Sequence, residues 1–286
     1  MSDRPYIIWK GHGNDAAIYC ARNDGSSFDY VHQVGYFATS RGLAAVKSEG
    51  VVAAWRGLGD DSRIWTAEAN FDGTGWSDQR RPPDDPRTED RPALAVFRGQ
   101  IVMAWRGAGS DEHIWFSQRG PHGWSPQQVA GNGLASSTHG PALAAHRDSL
   151  YMAWKGSGAD QNLYWSAFDG SRWTDPRAFP GGSTHGPALT GTGRELVMAW
   201  KGSGNDDHVW TASFSNSWTD QRLAVGRSSH GPALGVLDGR PAMLWKGAPG
   251  DERLFWSRNL TTQEPVRDGF TTSESPALLS LNFSDL

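Results

Sequence analysis

Apolar residues in this chain fall into short runs separated by glycine-rich polar turns, and residues 186–227 show the pattern most clearly. Pro187-Ala-Leu opens a first run, and Gly191-Thr-Gly-Arg-Glu195 turns the chain. Leu196-Val-Met-Ala-Trp200 is continuously apolar, as expected of a strand covered on both faces. The turn Lys201-Gly-Ser-Gly-Asn-Asp206 leads to a third strand at Val209-Trp-Thr-Ala-Ser213, and Trp218 marks a shorter fourth. No long 3.6-residue apolar period appears, so helix is not expected.

The unit recurs. Trp followed by Lys or Arg and then Gly occurs six times, at Trp9, Trp55, Trp105, Trp154, Trp200 and Trp245, with intervals of 46, 50, 49, 46 and 45 residues. An Asp stands six residues after each Trp (Asp15, Asp61, Asp111, Asp160, Asp206, Asp251). An aromatic stands ten after (Tyr19, Trp65, Trp115, Tyr164, Trp210, Phe255). Repetition at this period, with four short strands per unit, predicts an all-β, six-bladed β-propeller of four-stranded antiparallel blades. The segment from Ser275 to Leu286 reads as a first strand with no second after it, and Pro5 to Trp9 as a second with no first before it. One blade is therefore expected to be closed by both termini, which removes open sheet edges. The expected blades of this single 1–286 domain are 276–286 with 5–38, then 42–85, 92–132, 141–182, 187–227 and 232–270.

Composition narrows the function. A formal net charge of −4 argues against binding a phosphate backbone, so nucleic acid is not an expected partner. The single cysteine, Cys20, excludes an internal disulfide framework and reads as a small buried side chain. Neither a Sec-type leader nor an apolar run long enough to span a membrane is read, so a cytoplasmic product without membrane insertion is expected.

Antiparallel strand order places the Lys-Gly-x-Gly-x-Asp turn, the residues before Pro-Ala-Leu and the loops joining blades on one face. Four of the five lysines occupy the tripeptide (Lys10, Lys155, Lys201, Lys246). Three units also read Ser/Thr-His-Gly-Pro, at His139, His185 and His230, and all three have Lys in the tripeptide. The Arg56 and Arg106 units place Ser40 and Asp90 where the His would be, and the seam unit places Glu274. The candidate clefts are Asp111 with His139, Asp160 with His185 and Asp206 with His230, flanked by Trp115, Trp165 and Trp210 and by Lys155, Lys201 and Lys246. Aromatic faces beside hydrogen-bonding side chains are the kit for carbohydrate, and several weak sites on one rigid face raise avidity.

Structural readings compete. The tripeptide Trp reads as blade-to-blade core, and the Asp as a turn organiser. The histidines either fix the strand start or touch ligand. Three of them at a channel mouth would also suit a catalytic metal, although they come from one side of the ring. No cofactor is expected.

The units Gly140-Pro-Ala-Leu, Met152-Ala-Trp-Lys-Gly-Ser-Gly and Leu163-Tyr-Trp-Ser resemble the repeats of the Photorhabdus-type β-propeller lectins. That resemblance implies glycan or glycoconjugate partners, sites between blades, a preference for fucose and O-methylated sugars, and export by a non-classical route. Those lectins have seven blades; the count of six matches fungal fucose-binding propellers. Homo-oligomerisation is left open. Phe71-Asp-Gly-Thr-Gly-Trp76 and Phe168-Asp-Gly-Ser-Arg-Trp173 resemble incomplete Asp boxes of sialidases, but several equivalent sites and no single asymmetric constellation argue against an enzyme. A protein-interaction scaffold is a third class.

Overall fold

The type unit forms as its pattern dictates. In the computed structural model, which describes residues 3–23, 27–267 and 269–281, the strands Ala188–Gly191, Leu196–Lys201, His208–Phe214 and Arg222–Arg227 make one antiparallel sheet in chain order. Every residue of Leu196–Lys201 is buried, because neighbouring blades cover both faces of the strand. The register sets Trp200 opposite Trp210. One expectation is corrected here: Trp218 makes only an isolated bridge to Phe214, and the fourth strand starts at Arg222. The reason is a tight turn in which Thr219 N–H donates to Ser213 O and Ser213 N–H to Thr219 Oγ1. Within that turn the Trp218 indole folds inward onto Phe214 and Phe179.

Six such sheets make an all-β, six-bladed propeller. The seam blade joins Ala277–Leu281 to Arg4–Lys10, Ala17–Asn23 and Phe28–Ala38, with Ile8 opposite Ala277 and Arg4 opposite Leu281. The expected seam strand extended through residues 282–286, which lie outside the described residues. Blade two has three strands, Leu43–Lys47, Val51–Arg56 and Ile64–Ala69. Its outer segment pairs only through bridges at Thr66–Arg80 and Arg63–Arg87. Pro82, Pro83 and Pro86 fall in that segment and lack the N–H a ladder needs.

The core lies between blades. Each tripeptide Trp sits in a cluster shared with the preceding blade: Trp200 packs with Leu163 and Phe179 of blade four, and Trp9 with Leu244 and Trp256 of blade six. All six are at most 3% exposed. Cys20 is fully buried.

Candidate functional site

The tripeptide turn is built around its Asp. Asp206 Oδ1 accepts the backbone N–H of His208, and Oδ2 accepts Trp210 Nε1–H at 2.7 Å. Asp111 holds Trp115 in the same way at 2.8 Å, Asp61 holds Trp65 at 2.9 Å, and Asp160 accepts the Tyr164 hydroxyl at 2.9 Å. Phe255 has no polar hydrogen, and there Arg253 takes both oxygens of Asp251. Burial would raise the Asp206 carboxyl, but the bonds from Trp210 and His208 outweigh it and hold the group below the usual range. The Gly after Lys is required because a Cβ at Gly202 would lie 2.3 Å from Asp206 Oδ2.

These anchored aromatics line the blade clefts. Trp115 packs at the blade two–three junction, Tyr164 at three–four and Trp210 at four–five, each half-buried. Arg81 lies 5.7 Å over Trp65 and Arg253 lies 5.2 Å over Phe255. Among the described residues no cation covers Trp115, Tyr164 or Trp210.

Trp165 does not share this position. It is 9% exposed and packs against Tyr151, Phe214 and Trp218 as core between blades four and five. Tyr164 is the register equivalent of Trp115 and Trp210, because alternate residues of a strand face opposite ways.

Lys155, Lys201 and Lys246 are also turned inward, each at most 6% exposed. Lys201 Nζ donates to Thr184 Oγ1 (2.9 Å), Asp206 O (3.0 Å) and Gly202 O (3.3 Å). Lys155 donates to Thr138 Oγ1 and the turn carbonyls, and Lys246 to Ser229 Oγ and Asp251 O. These ammonium groups hold their turns, and burial pushes Lys155 and Lys201 below the ordinary lysine range. Arg solves the problem differently: Arg56 Nε reaches Thr88 O and Arg106 Nε reaches Ser137 O, each in the following blade's lead-in.

The histidines correct the three-cleft arrangement. Each lead-in starts with a Ser or Thr hydroxyl accepting the N–H two residues on, and this motif aligns Arg41, Asp90, His139, His185, His230 and Glu274. Arg41, not Ser40, therefore holds the His position in blade two. The His139 and His185 rings lie 5.3 Å apart and the His185 and His230 rings 5.1 Å apart. They form one cluster at the channel mouth rather than members of separate clefts. Among the described residues no hydrogen bond joins them to Asp111, Asp160 or Asp206.

Lys and His occur together for a physical reason. The hydroxyl that accepts the Lys ammonium also contacts the imidazole: Thr138 Oγ1, Thr184 Oγ1 and Ser229 Oγ each lie 3.0 Å from Nδ1 of His139, His185 and His230. With Lys as their donor, the Thr138 and Thr184 hydroxyls are free to give their own hydrogen to Nδ1, which assigns the His139 and His185 proton to Nε2, whereas the Ser229 hydroxyl donates to Gly247 O at 3.1 Å. Burial and the neighbouring cations push His185 down to about 3 and His230 to about 4, so both are neutral at pH 7. Among the described residues, the group with three metal-ligating atoms within 4.8 Å of one another is Asp206, Asp207 and His208. The Asp boxes are turns on the opposite face: Asp72 caps Thr74 and Asp169 caps Ser171 and Arg172.

The chain is similar to the six-bladed β-propeller lectin of Aleuria aurantia, a fungal protein described by its fucose recognition. The TM-score is 0.67 at 14% identity, covering 94% of this chain and 98% of that one. These likenesses establish the fold. AofleA from Arthrobotrys oligospora aligns with a TM-score of 0.66 at 8% identity, over 96% of this chain and 88% of that one. A further Aleuria aurantia structure, described as a fucose-specific lectin, aligns with a TM-score of 0.64. No protein-family model and no curated protein matches the sequence.

Proposed function

We propose that this protein is a multivalent lectin that binds neutral monosaccharide units of glycans, fucose or O-methylated sugars first, in the clefts between blades. It catalyses no reaction in this reading. The observation that carries it is the aromatic side chain held by its polar tip on the turn Asp in successive clefts: Trp115, Tyr164 and Trp210. An anchored, half-open ring face is the platform on which a sugar's C–H patch stacks, and turn polar groups beside it fix hydroxyls. The shared fold of the fucose-binding fungal lectins supports the sugar class, and the repeat resemblance to Photorhabdus-type lectins supports sites between blades. Glycans on cell surfaces are the natural partner, since equivalent weak sites gain from a multivalent surface. No helix among the described residues is long and apolar enough to cross a membrane.

Glycan-array binding followed by calorimetric stoichiometry tests this. Several equivalent fucose sites per chain are expected, with Trp210→Ala removing one without unfolding the protein. A protein that binds no glycan on the array, or a Trp210→Ala variant with full stoichiometry, sinks the assignment.

A further inference from the structure

The channel mouth is a separate polar vestibule of about 370 Å³. Beneath it the first strands narrow the channel to an apolar neck of about 80 Å³ lined by Leu94, Leu143, Leu189, Leu234 and Leu278. The vestibule is rigid. A Cβ at Gly186 would lie 2.4 Å from Gly140 O, so successive lead-ins touch backbone to backbone, and Asp90 Oδ2 accepts Gly140 N–H across the blade three–four junction.

Three arginines, Arg41, Arg91 and Arg106, and the three imidazoles face three carboxylates, Glu89, Asp90 and Glu274. Arg91 extends across the axis, where Nη2 donates to Pro187 O of blade five at 3.2 Å. A guanidinium carries five N–H donors, and among the described residues this is the one that Arg91 has placed. Arg41 faces the same space, where among the described residues its ionic neighbour is Glu274 at 3.8 Å. The imidazoles of His139 and His185 add Nε2–H donors. Three carboxylates line the same space: Asp90 Oδ1 takes the Arg91 backbone N–H and Oδ2 takes Gly140 N–H, Glu89 Oε1 takes Gly109 N–H, and Glu274 stands beside Arg41.

We propose that this axial vestibule is a binding site for one small oxyanion, a sulfate or a carboxylate, held by the Arg41 and Arg91 guanidiniums with imidazole N–H groups completing the cradle. The anion is either free or the acid group of an acidic sugar. Planar guanidinium forks match oxyanion geometry, and a site closed below by an apolar neck screens the charge poorly, which strengthens the pairing.

Affinity depends on pH through the groups facing the site. Burial, and then the charge of Asp90, raise Glu274 to about 7. As the pH falls from 8 to 6 Glu274 loses its negative charge, while His185 and His230, depressed to about 3 and 4, stay neutral. Anion binding strengthens in that direction.

The test is calorimetric titration of the full chain with sodium sulfate and, in parallel, with glucuronic acid, at pH 6 and pH 8 and constant ionic strength. Saturable one-site binding, tighter at pH 6, is expected. Arg91→Gln or Arg41→Gln should weaken it about tenfold or more, the worth of one hydrogen bond to a charged group. Arg41 is half-exposed, so its variant keeps the test valid if Arg91→Gln fails to fold. Tighter binding of glucuronate than of sulfate assigns a sugar-borne acid, and the reverse a free anion. Saturation by neither probe, or wild-type affinity in a folded Arg41→Gln protein, overturns the proposal. Fucose binding in the clefts is unchanged in Arg41→Gln, so failure of one site is distinguishable from failure of the other.

Discussion

Two rings of six positions run around this propeller, and they obey different rules. The tripeptide turns are nearly identical in all six blades, whereas the lead-in positions at the axis read Glu274, Arg41, Asp90, His139, His185 and His230. Within each turn the cation donates to the turn's own carbonyls and the Asp is held by its own aromatic or Arg, while adjacent turns meet at the variable residue after the Asp, as where Gly158 N–H donates to Glu112 and Gly204 N–H to Gln161. At the axis the six side chains face one another. Like charges about 5 Å apart repel by about 3 kcal/mol at an effective dielectric of 20, so six copies of one ionised residue cannot gather there. Identical residues are tolerated at three adjacent positions because imidazole can stay neutral. The lesson is that a repeat keeps its sequence where a unit satisfies itself and diverges where units meet.

The comparison breaks most sharply in the shared core. Trp200→Ala should cost about 3 to 5 kcal/mol, because its indole fills the junction with blade four. Urea unfolding measures it, and a loss under 1 kcal/mol would mean that the blades pack independently of this residue. Lys201→Met should cost about 1 to 3 kcal/mol, since Thr184 Oγ1, Gly202 O and Asp206 O lose a charged donor. Lys201→Arg should recover part of this by reaching the next lead-in, as Arg56 and Arg106 do. Equal destabilisation by Met and Arg would show that the two residues are not alternative solutions.

The axial ring predicts the pH dependence. His185 and His230 are depressed from 6.5 to about 3 and 4, so the unfolded chain binds the extra protons as pH drops. Stability is full above pH 6.5 and falls from there towards pH 4. Glu274 works in the opposite sense: raised from 4.5 to about 7, it holds a proton longest in the folded state, and stability is lost as pH rises through that window. Melting temperature between pH 4 and 8 should therefore decline less on the acid side in His185→Asn. Above pH 7 Glu274→Gln should melt higher than wild type. Variant curves parallel to wild type would remove these groups from the balance. The smallest effect is expected for Tyr164→Phe, which gives up one hydrogen bond to Asp160 at about 0.5 to 1.5 kcal/mol. Unfolding that matches wild type would make that anchor dispensable.

Legibility in the sequence followed the same division. The buried second strands, the six units and closure by both termini were readable, because apolar runs and repeat spacing report them directly. The turn Asp was readable as an organiser, because a side chain and its backbone partner two residues away are local. Trp165 misled because adjacent aromatics on one strand differ only in which face they take. Blade two places Arg41 rather than Ser40 in the ring, a one-residue register that needs the hydroxyl-to-N–H motif to be seen in three dimensions.

Sequence alone determined the fold class, the blade count and the link between Lys and His, since each is written in spacing along one unit. Tertiary structure alone decided where the histidines go. Residues about 46 positions apart carry no mutual signal within a unit, yet closing the ring brings His139, His185 and His230 into one cluster. The pairing of Lys with His therefore reports a buried relay from turn to axis, separate from the cleft aromatics.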